Sequence, residues 1–460
     1  MKRLSLCLCL LITTLAASQA KKAPAAGGAL STAAKLCADP YALTDAKDGW
    51  PEGPVTILFH RDKSKAPPAH NPAIRVAGLE AATPASARTV VCVEESRIEM
   101  GHYDSGEPGY APSWDVTLVR AADQKVYFTR TSFYGEMPPY VKYNKGAGVG
   151  KAPTEIFVRW LHLVLEQKVA RLKTRFKSKA YDEVSAMAFS ADGSRLAVAQ
   201  APRSPSNGPT PPSPITVFDL VTAQPVASMR ADYSSYEIAI SKTGSMVATN
   251  RYGGVQIWDV ATAQMTRKLE TSHVSSLVFG PDDTLGVAGD EKAAVWDVSG
   301  NRVVKSGSGS VIELSPEGAW LVMGKSAKGF TVRELESGRE VGSYPDICAN
   351  PYKCLPSRDG KSMARWYALG AAVYSSGNPR GTSPSLPSLG AGIVYAVGPT
   401  RDGFVMANGD GIAGIVSPGS DEARAFATDM SSIRAVAVSP DGKLIALGDS
   451  SGNVEVWEIR

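Results

Sequence analysis

The chain has 460 residues, with 49 lysines and arginines against 45 aspartates and glutamates, so its formal net charge is +4. A balance so close to neutral gives no general reason to expect nucleic-acid binding. Beyond the first 20 residues, no segment is long and apolar enough to cross a membrane.

The first 20 residues have the order of a secretory signal. Lys2 and Arg3 precede an apolar run over residues 4–17, and small residues precede a cleavage site after Ala20. The run is too short to span a bilayer, which makes a retained anchor the weaker alternative. Loss of the two basic residues lowers the net charge from +4 to +2 (4 − 2). The mature protein is therefore expected to be exported, to the periplasm or to the extracellular medium.

Four cysteines remain after that cleavage. An even number in an oxidising compartment favours disulfides over metal ligands. Cys348 and Cys354 bracket a short, turn-rich loop that could bring them together, and Cys37 with Cys92 is then the remaining pair. Four free thiols are the alternative, and a zinc site lacks supporting histidines.

A flexible linker is expected over residues 21–36, which are rich in alanine, glycine and lysine. A β-rich N-terminal domain is expected over residues 37–152. Turn residues separate the last three of its predicted strands, which favours an antiparallel meander. The predicted strands are Val55–His60, Thr89–Met100, Trp114–Arg120 and Lys125–Phe133.

A connecting helix is predicted over residues 153–170. Thr154 is the expected N-cap, with Glu155 in the first turn. Seven apolar residues repeat at helical spacing, which is typical of a docking face. That face would pack against the next domain or close the core of the N-terminal domain. The stripe consists of Ile156, Phe157, Trp160, Leu161, Val164, Leu165 and Val169.

The apolar period changes from 3.6 to 2 at residue 171, which predicts a strand over 171–177. The last repeat of the chain, ending at Arg460, is one strand short of a four-stranded sheet. We expect residues 171–177 to supply that strand and close the array. The alternating basic residues suit an outer edge that must resist pairing with other chains. Attachment of the basic stretch 171–179 to an anionic surface is the alternative.

Seven tight turns recur with a period near 40 residues, each inside a strand-rich frame. Such a period is typical of a β-propeller, a radial array of small antiparallel sheets. The turns are Ala191-Asp192-Gly193, Lys242-Thr243-Gly244, Pro281-Asp282-Asp283, Pro316-Glu317-Gly318, Arg358-Asp359-Gly360, Arg401-Asp402-Gly403 and Pro440-Asp441-Gly442.

An aromatic and an acidic residue end the third strand of four repeats. These pairs, with the Ser-Pro-Asp-Gly turn at residues 439–442, resemble the WD-repeat propeller family over residues 182–460. The pairs are Phe218-Asp219, Trp258-Asp259, Trp296-Asp297 and Trp457-Glu458. Their place is taken by Arg333-Glu334, Tyr374-Ser375 and Val416-Ser417 in the other three repeats. The predicted fold is mainly β: a seven-bladed propeller over 171–460, preceded by a small α+β domain and one amphipathic helix.

Members of that family often link His, Ser/Thr, Asp and Trp by hydrogen bonds within a blade. Only the third repeat approaches this set, with His273, Asp290 and Trp296, and Ala288 stands where Ser or Thr belongs. The last repeat has Ser451, and the second Tyr252, at the Asp position. Most blades are therefore expected to be stabilised by packing, in which Trp258, Trp296 and Trp457 bury large apolar areas. Asp259 and Asp297 are also expected to be structural residues.

Three patterns that suggest chemistry have simpler interpretations. Residues 448–452 match G-x-S-x-G, but a strand and no histidine follow, so a hairpin turn is expected. Residues 146–151 fail the spacing of a phosphate loop and are interpreted as a hinge. The five histidines lack metal-ligand spacing, so neither a metal nor a cofactor is predicted.

A proline-rich insertion, Ala201–Pro214, lies between the second and third strands of the first repeat. In a propeller it would project from the face at which the chain enters each blade. The same face should carry Tyr181, Tyr236, Arg251 and Tyr252, and such residues are common anchors in protein interfaces. Ordinary surface loops remain the alternative for both features.

The resemblance implies a noncatalytic recognition or scaffold protein that binds a protein or peptide on one propeller face. This expectation rests on similarity of fold and not on an identified binding site. The competing hypotheses are an exported enzyme or cofactor binder with its site at the central channel, and attachment to the envelope or a polyanion through residues 171–179. Ionisable groups converging on the axis would favour the enzyme.

Overall fold

A computed structural model describes residues 29–38, 43, 50–61, 68–69, 71, 74, 76, 78–102, 106–135, 148–177, 182–201, 212–232, 235–251, 254–271, 273–290, 292–326, 329–345, 354–367, 370–375, 378–383, 386, 394–430 and 432–460. The predicted signal segment and residues 202–211 of the proline-rich insertion lie outside these ranges.

The N-terminal domain is a mixed sheet between two helices. Its strand order is β1-β2-β3-β4, with β5 paired to β3. The meander β2-β3-β4 is antiparallel, while β1 runs parallel to β2. The elements are α1 (Ala29–Ala38), β1 (Val55–Arg61), β2 (Thr89–His102), β3 (Pro108–Arg120), β4 (Val126–Tyr134), β5 (Gly148–Val149) and α2 (Thr154–Glu166).

Successive side chains of β2 point to opposite faces of the sheet, and both faces are covered by a helix. Val90 and Cys92 pack towards α1, whereas Val91 and Val93 join the cluster that contains α2. A continuous apolar run is what a strand buried on both faces requires.

Two expectations for the segments flanking this sheet are wrong. Residues 29–36, expected in a flexible linker, belong to α1, because Ala33 and Leu36 bury against the sheet and a disulfide joins Cys37 to Cys92. Gly148 and Val149, expected in a hinge, pair with β3 as a short strand.

Helix α2 lies between the N-terminal sheet and the following domain. Its stripe is buried at Phe157, Trp160, Leu161, Val164 and Leu165. The expected N-cap is wrong by one residue, since Pro153 precedes the first helical residue and makes no side-chain cap. One apolar cluster contains this stripe, the sheet and the last two blades described below.

Seven four-stranded antiparallel sheets, blades 1 to 7, follow in the described part of the chain. Blade 1 consists of β7 (Glu183–Phe189), β8 (Arg195–Ala201), β9 (Ser213–Asp219) and β10 (Gln224–Ala231). Blade 2 consists of β11 (Ile238–Ile240), β12 (Met246–Arg251), β13 (Gly254–Asp259) and β14 (Gln264–Glu270). Blade 3 consists of β15 (Ser276–Phe279), β16 (Thr284–Gly289), β17 (Lys292–Asp297) and β18 (Arg302–Ser308).

Blade 4 consists of β19 (Val311–Leu314), β20 (Trp320–Ser326), β21 (Gly329–Glu334) and β22 (Glu340–Tyr344). Blade 5 consists of β23 (Cys354–Pro356), β24 (Ser362–Tyr367), β25 (Gly370–Ser375) and β26 (Asn378–Thr382). Blade 6 consists of β27 (Val394–Pro399), β28 (Phe404–Asn408), β29 (Ile412–Val416) and β30 (Arg424–Ala427). Blade 7 combines β31 (Ile433–Val438), β32 (Leu444–Asp449) and β33 (Asn453–Ile459) with β6 (Ala170–Lys177).

Apolar clusters join each blade to the next and the last blade to the first. Each cluster contains at least one buried residue from each of the two neighbouring blades. In order from the interface of blades 1 and 2 to that of blades 7 and 1, one such pair per interface is Val217 and Val247, Val255 and Val287, Val295 and Val322, Val332 and Met363, Val373 and Met406, Val405 and Ile445, and Val456 and Leu196. The first strands of blades 6, 7, 1, 2, 3 and 4 lie side by side in that order. The sheets therefore form a ring, a β-propeller, with the first strand of each blade nearest the axis.

Strand β6 completes blade 7 from the other end of the array. It runs antiparallel to β33, from Lys177 opposite Asn453 to Ala170 opposite Ile459, with a bulge at Lys173. The amide of Arg460 donates a hydrogen bond to the Val169 carbonyl, 2.9 Å away. No helix in the described ranges has the length and apolar character needed to span a bilayer.

Candidate functional site

The up-and-down strand order gives the ring two distinct faces. The chain enters each first strand on one face, called the entry face, which carries Glu183, Tyr236, Tyr395 and Arg434. The first turn of each blade, such as the one at Asp192, lies on the opposite face, called the turn face. The link between the third and fourth strands, with Val221 in blade 1, also lies on the turn face.

Only one of the four predicted partner-binding residues has a described side chain. Tyr236 lies just before β11 and is 63% exposed. Arg251 is the last residue of β12, and its side chain lies outside the described part of the structure. Tyr181 and Tyr252 lie outside the described residues, so their place relative to Tyr236 stays a prediction.

A hydrogen-bonded support fixes the backbone beneath Tyr236. The Oδ1 atom of Asn250 accepts from the amides of Tyr236 and Glu237, at 3.0 and 3.1 Å. The preceding residue, Ser235, is fully buried, and its carbonyl accepts from the Ser185 hydroxyl at 2.5 Å. The exposed phenol is therefore carried by a backbone that blades 1 and 2 hold together.

A second aromatic residue lies on the entry face, at the boundary of blades 6, 7 and 1. Tyr395 is 36% exposed, and the Arg434 guanidinium lies over its ring, 4.3 Å from the centroid. Glu183 of blade 1 approaches Arg434 to 4.0 Å. Sequence reasoning missed this set, although each of the three residues lies at or next to the start of a first strand.

Two carboxylates lie close to the axis, one on each side of blade 3. Burial, together with the negative charge of Glu313, raises the pKa of Glu237 to about 8. Burial also raises the pKa of Glu313, while the nearby cation of Arg358 opposes that shift. Both side chains are half-buried, so their negative charge is poorly solvated.

Arg358 spans the turn face of the ring from blade 5 to blade 7. Its Nη1 and Nη2 atoms donate to the Ser439 and Val438 carbonyls, at 2.8 and 2.6 Å. These carbonyls end β31, the first strand of blade 7. Burial lowers the pKa of Arg358, yet a guanidinium stays charged in proteins. A half-buried cation therefore joins blades 5 and 7 on the turn face.

Acidic and amide side chains at or just after the ends of second strands accept hydrogen bonds from backbone amides in the described blades. In blade 3, Asp290 Oδ2 accepts from the His273 amide at 3.1 Å. Asn408 in blade 6 and Asp449 in blade 7 likewise accept from amides of the turn that follows the second strand. The alignment on Ser451 and Tyr252 missed Asp449 and Asn250, because the turn between the second and third strands differs in length among blades.

In the predicted structural pairs, the tryptophans pack in the apolar clusters, and the aspartates cap the following turns. Trp457 is fully buried and Trp258 is 8% exposed, while Trp296 is half-buried against the cluster of blades 2 and 3. Asp259 caps the following turn, where its Oδ1 accepts from the Thr262 amide at 2.8 Å. Asp297 accepts from the Gly300 amide in the same way, at 2.9 Å.

The other sequence patterns have structural roles. The stretch from Gly448 to Gly452 is the hairpin between β32 and β33, as expected. Cys354 is in a disulfide, and its predicted partner Cys348 lies outside the described residues. Within the described ranges, no three His, Cys, Asp or Glu residues are grouped to hold a metal ion.

The predicted basic row on β6 is only partly exposed. Arg171 and Lys173 are exposed, but Arg175 is paired with Glu455 and Asp429 at 3.0 and 3.3 Å. Its charge is therefore balanced within the protein and is not presented to an anionic surface.

Comparison with known families and curated proteins gave one match. A family model for the WD domain, G-beta repeat, matches residues 425–458, which run from β30 to β33 and cover one repeat. No curated protein matches the chain. The match and the ring of four-stranded sheets together fit a WD-repeat β-propeller. Such propellers are typically noncatalytic scaffolds for protein interaction.

Proposed function

We propose that the protein is an exported, noncatalytic recognition module that binds a protein or peptide segment on the entry face. The observation that carries this proposal is Tyr236, whose side chain is 63% exposed above a backbone fixed by Asn250. Rigid, exposed tyrosines contribute large contact areas at low entropic cost and are frequent anchors in interfaces.

Three further observations support the entry face. The stacked pair of Tyr395 and Arg434 adds a second aromatic and cationic contact there. The half-buried carboxyl group of Glu237 lies beside Tyr236, and with a pKa of about 8 it is mostly protonated at neutral pH, so it can donate a hydrogen bond to a bound segment. On the opposite face, the Arg358 guanidinium is already bonded to backbone carbonyls of blade 7, so this cation is used within the protein.

Export is supported by the disulfide between Cys37 and Cys92, because such bonds form and persist in oxidising compartments. The signal-like order of the first 20 residues agrees with this localisation.

A peptide library offers a direct test. The mature chain would be used to select binding peptides from a displayed random library, and each selected peptide would be measured by fluorescence anisotropy. We expect Tyr236→Ala to weaken binding at least about tenfold, since removal of a tyrosine anchor commonly costs more than 1 kcal/mol. Val221→Ala is the matched control, because Val221 is 87% exposed on the turn face.

The proposal fails if selected peptides bind Tyr236→Ala and Arg434→Ala as tightly as the unaltered protein. It also fails if Val221→Ala weakens binding as much as Tyr236→Ala, because the turn face would then carry the site.

A further inference from the structure

Arg175 connects four segments that are far apart in the sequence. Its guanidinium lies 3.0 Å from a carboxylate oxygen of Glu455 in β33 and 3.3 Å from one of Asp429, between blades 6 and 7. Its Cζ atom lies 5.3 Å from the centroid of the Trp50 ring. The N-terminal domain, the closing strand β6, the final strand β33 and the end of blade 6 thus meet at one side chain.

Trp50 binds both sides of this junction. Its Nε1 atom donates to the Val164 carbonyl of α2 at 2.7 Å. Its ring meets Trp457 of β33 edge to face, with centroids 4.8 Å apart. Trp50 is 7% exposed and Trp457 is fully buried, so undocking the N-terminal domain would expose both rings to water.

The buried carboxylate of Glu455 depends on the same contacts. Its side chain is 4% exposed, and it accepts a hydrogen bond from Trp457 Nε1 at 3.1 Å. Burial raises the pKa of Glu455, and the charge of Arg175 opposes that shift. Removing one partner from a buried ion pair is strongly destabilising, because the remaining charge keeps its desolvation penalty.

We infer that the N-terminal domain stabilises the closed ring through a cluster of four side chains, Trp50, Arg175, Glu455 and Trp457. The contacts of Trp50 hold the partners of the β6–β33 ladder in place, so β6 leaves β33 only when the N-terminal domain leaves blade 7. A partner that pulls on the N-terminal domain would therefore loosen the ring at its single closing seam.

Hydrogen exchange of the full-length protein tests this coupling. We expect Arg175→Met to raise the amide exchange rates of residues 170–177, 453–459 and 154–166 together, by about tenfold or more. The matched control is Arg171→Met, which alters an exposed cation on the same strand and should leave all three segments unchanged.

Trp50→Phe provides a second variant in case Arg175→Met does not fold. It keeps a ring against Trp457 but lacks the N–H that binds Val164, so the same three segments should respond together, by a smaller factor. A rise confined to 170–177 and 453–459, with α2 unaffected, would show that the seam opens without the N-terminal domain. That result, or no rise with either variant, overturns the inference.

Discussion

Single residues near the axis have charges set by their surroundings. Glu237 and Glu313 are both half-buried, and the charge of Glu313 also acts on Glu237, so each binds a proton more tightly than an exposed glutamate does. Arg358 is half-buried as well, but two backbone carbonyls of blade 7 accept hydrogen bonds from its guanidinium. The pKa of Glu237, about 8, gives a direct test of this burial.

Glu237→Gln should make the protein more stable at alkaline pH. The carboxyl has a pKa of about 8 in the folded protein, against an ordinary value of 4.5. Its contribution to the free energy of unfolding is complete below pH 4.5 and is lost as the pH rises through 8. Glutamine cannot ionise, so the variant should gain at least about 1 kcal/mol over the unaltered protein at pH 8, measured by urea denaturation.

The same variant should gain almost nothing at pH 4.5. Glu340→Gln is the control, because Glu340 is exposed on the outer strand β22. Equal effects of the two substitutions at pH 8 would contradict a role for burial.

The blades depend on close approach of their backbones as well as on apolar packing. At Gly289, the end of β16, a Cβ atom would overlap the His273 carbonyl oxygen, just before the first strand of the same blade. At Gly324, within β20, the nearest atom to a Cβ would be 3.4 Å away, an ordinary contact. The two strand glycines therefore differ in what surrounds them.

Gly289→Ala should destabilise the protein by about 2–4 kcal/mol, because backbone must shift to admit the methyl group. Gly324→Ala should be neutral or stabilising by up to about 1 kcal/mol, since alanine restricts the unfolded chain. Thermal unfolding of both variants would measure the difference. Similar losses for the two would show that close approach at Gly289 is not the cause.

The strands themselves could be predicted from the sequence, but the caps and one helix could not. Nearly continuous apolar runs between turn residues predict strands at Ile433–Val438, Lys443–Leu447 and Val454–Ile459, close to the observed β31, β32 and β33, because strands packed between blades are buried on both faces. Asp449 was missed because its turn is longer than that of blade 3, so counting back from Trp457 reached Ser451. Helix α1 was missed because an alanine-rich stretch has little pattern until Cys37 anchors it to the sheet.

At the scale of the molecule, the N-terminal domain and the ring share one apolar core. The cluster that contains Phe157 and Trp160 of α2 also contains Phe426 of blade 6 and Trp457 of blade 7. A shared core of this kind couples the stability of the two parts. The sequence predicts that α2 docks, but it could not identify the Tyr395–Arg434 pair, because that contact depends on how distant blades meet.

Removal of the Cys37–Cys92 disulfide should therefore weaken the whole protein. The bond closes a loop with a sequence separation of 55 residues, and Cys37→Ser with Cys92→Ser should lower the free energy of unfolding by about 2–4 kcal/mol. We expect far-ultraviolet circular dichroism and tryptophan fluorescence to shift to the same lower temperature. A separate, unshifted transition for the ring would contradict a shared core.

Blade 7 has a consequence for the order in which the protein assembles. A ribosome makes β6 before any other strand of the ring and makes its neighbour β33 after all of them. During that interval the edge of β6 has no sheet to join, and the basic side chains of Arg171 and Lys173 discourage it from joining a foreign one. Ring closure therefore waits until β33 has been synthesised, and a nascent chain that stalls before β33 would expose an unfinished seventh sheet to quality-control proteases.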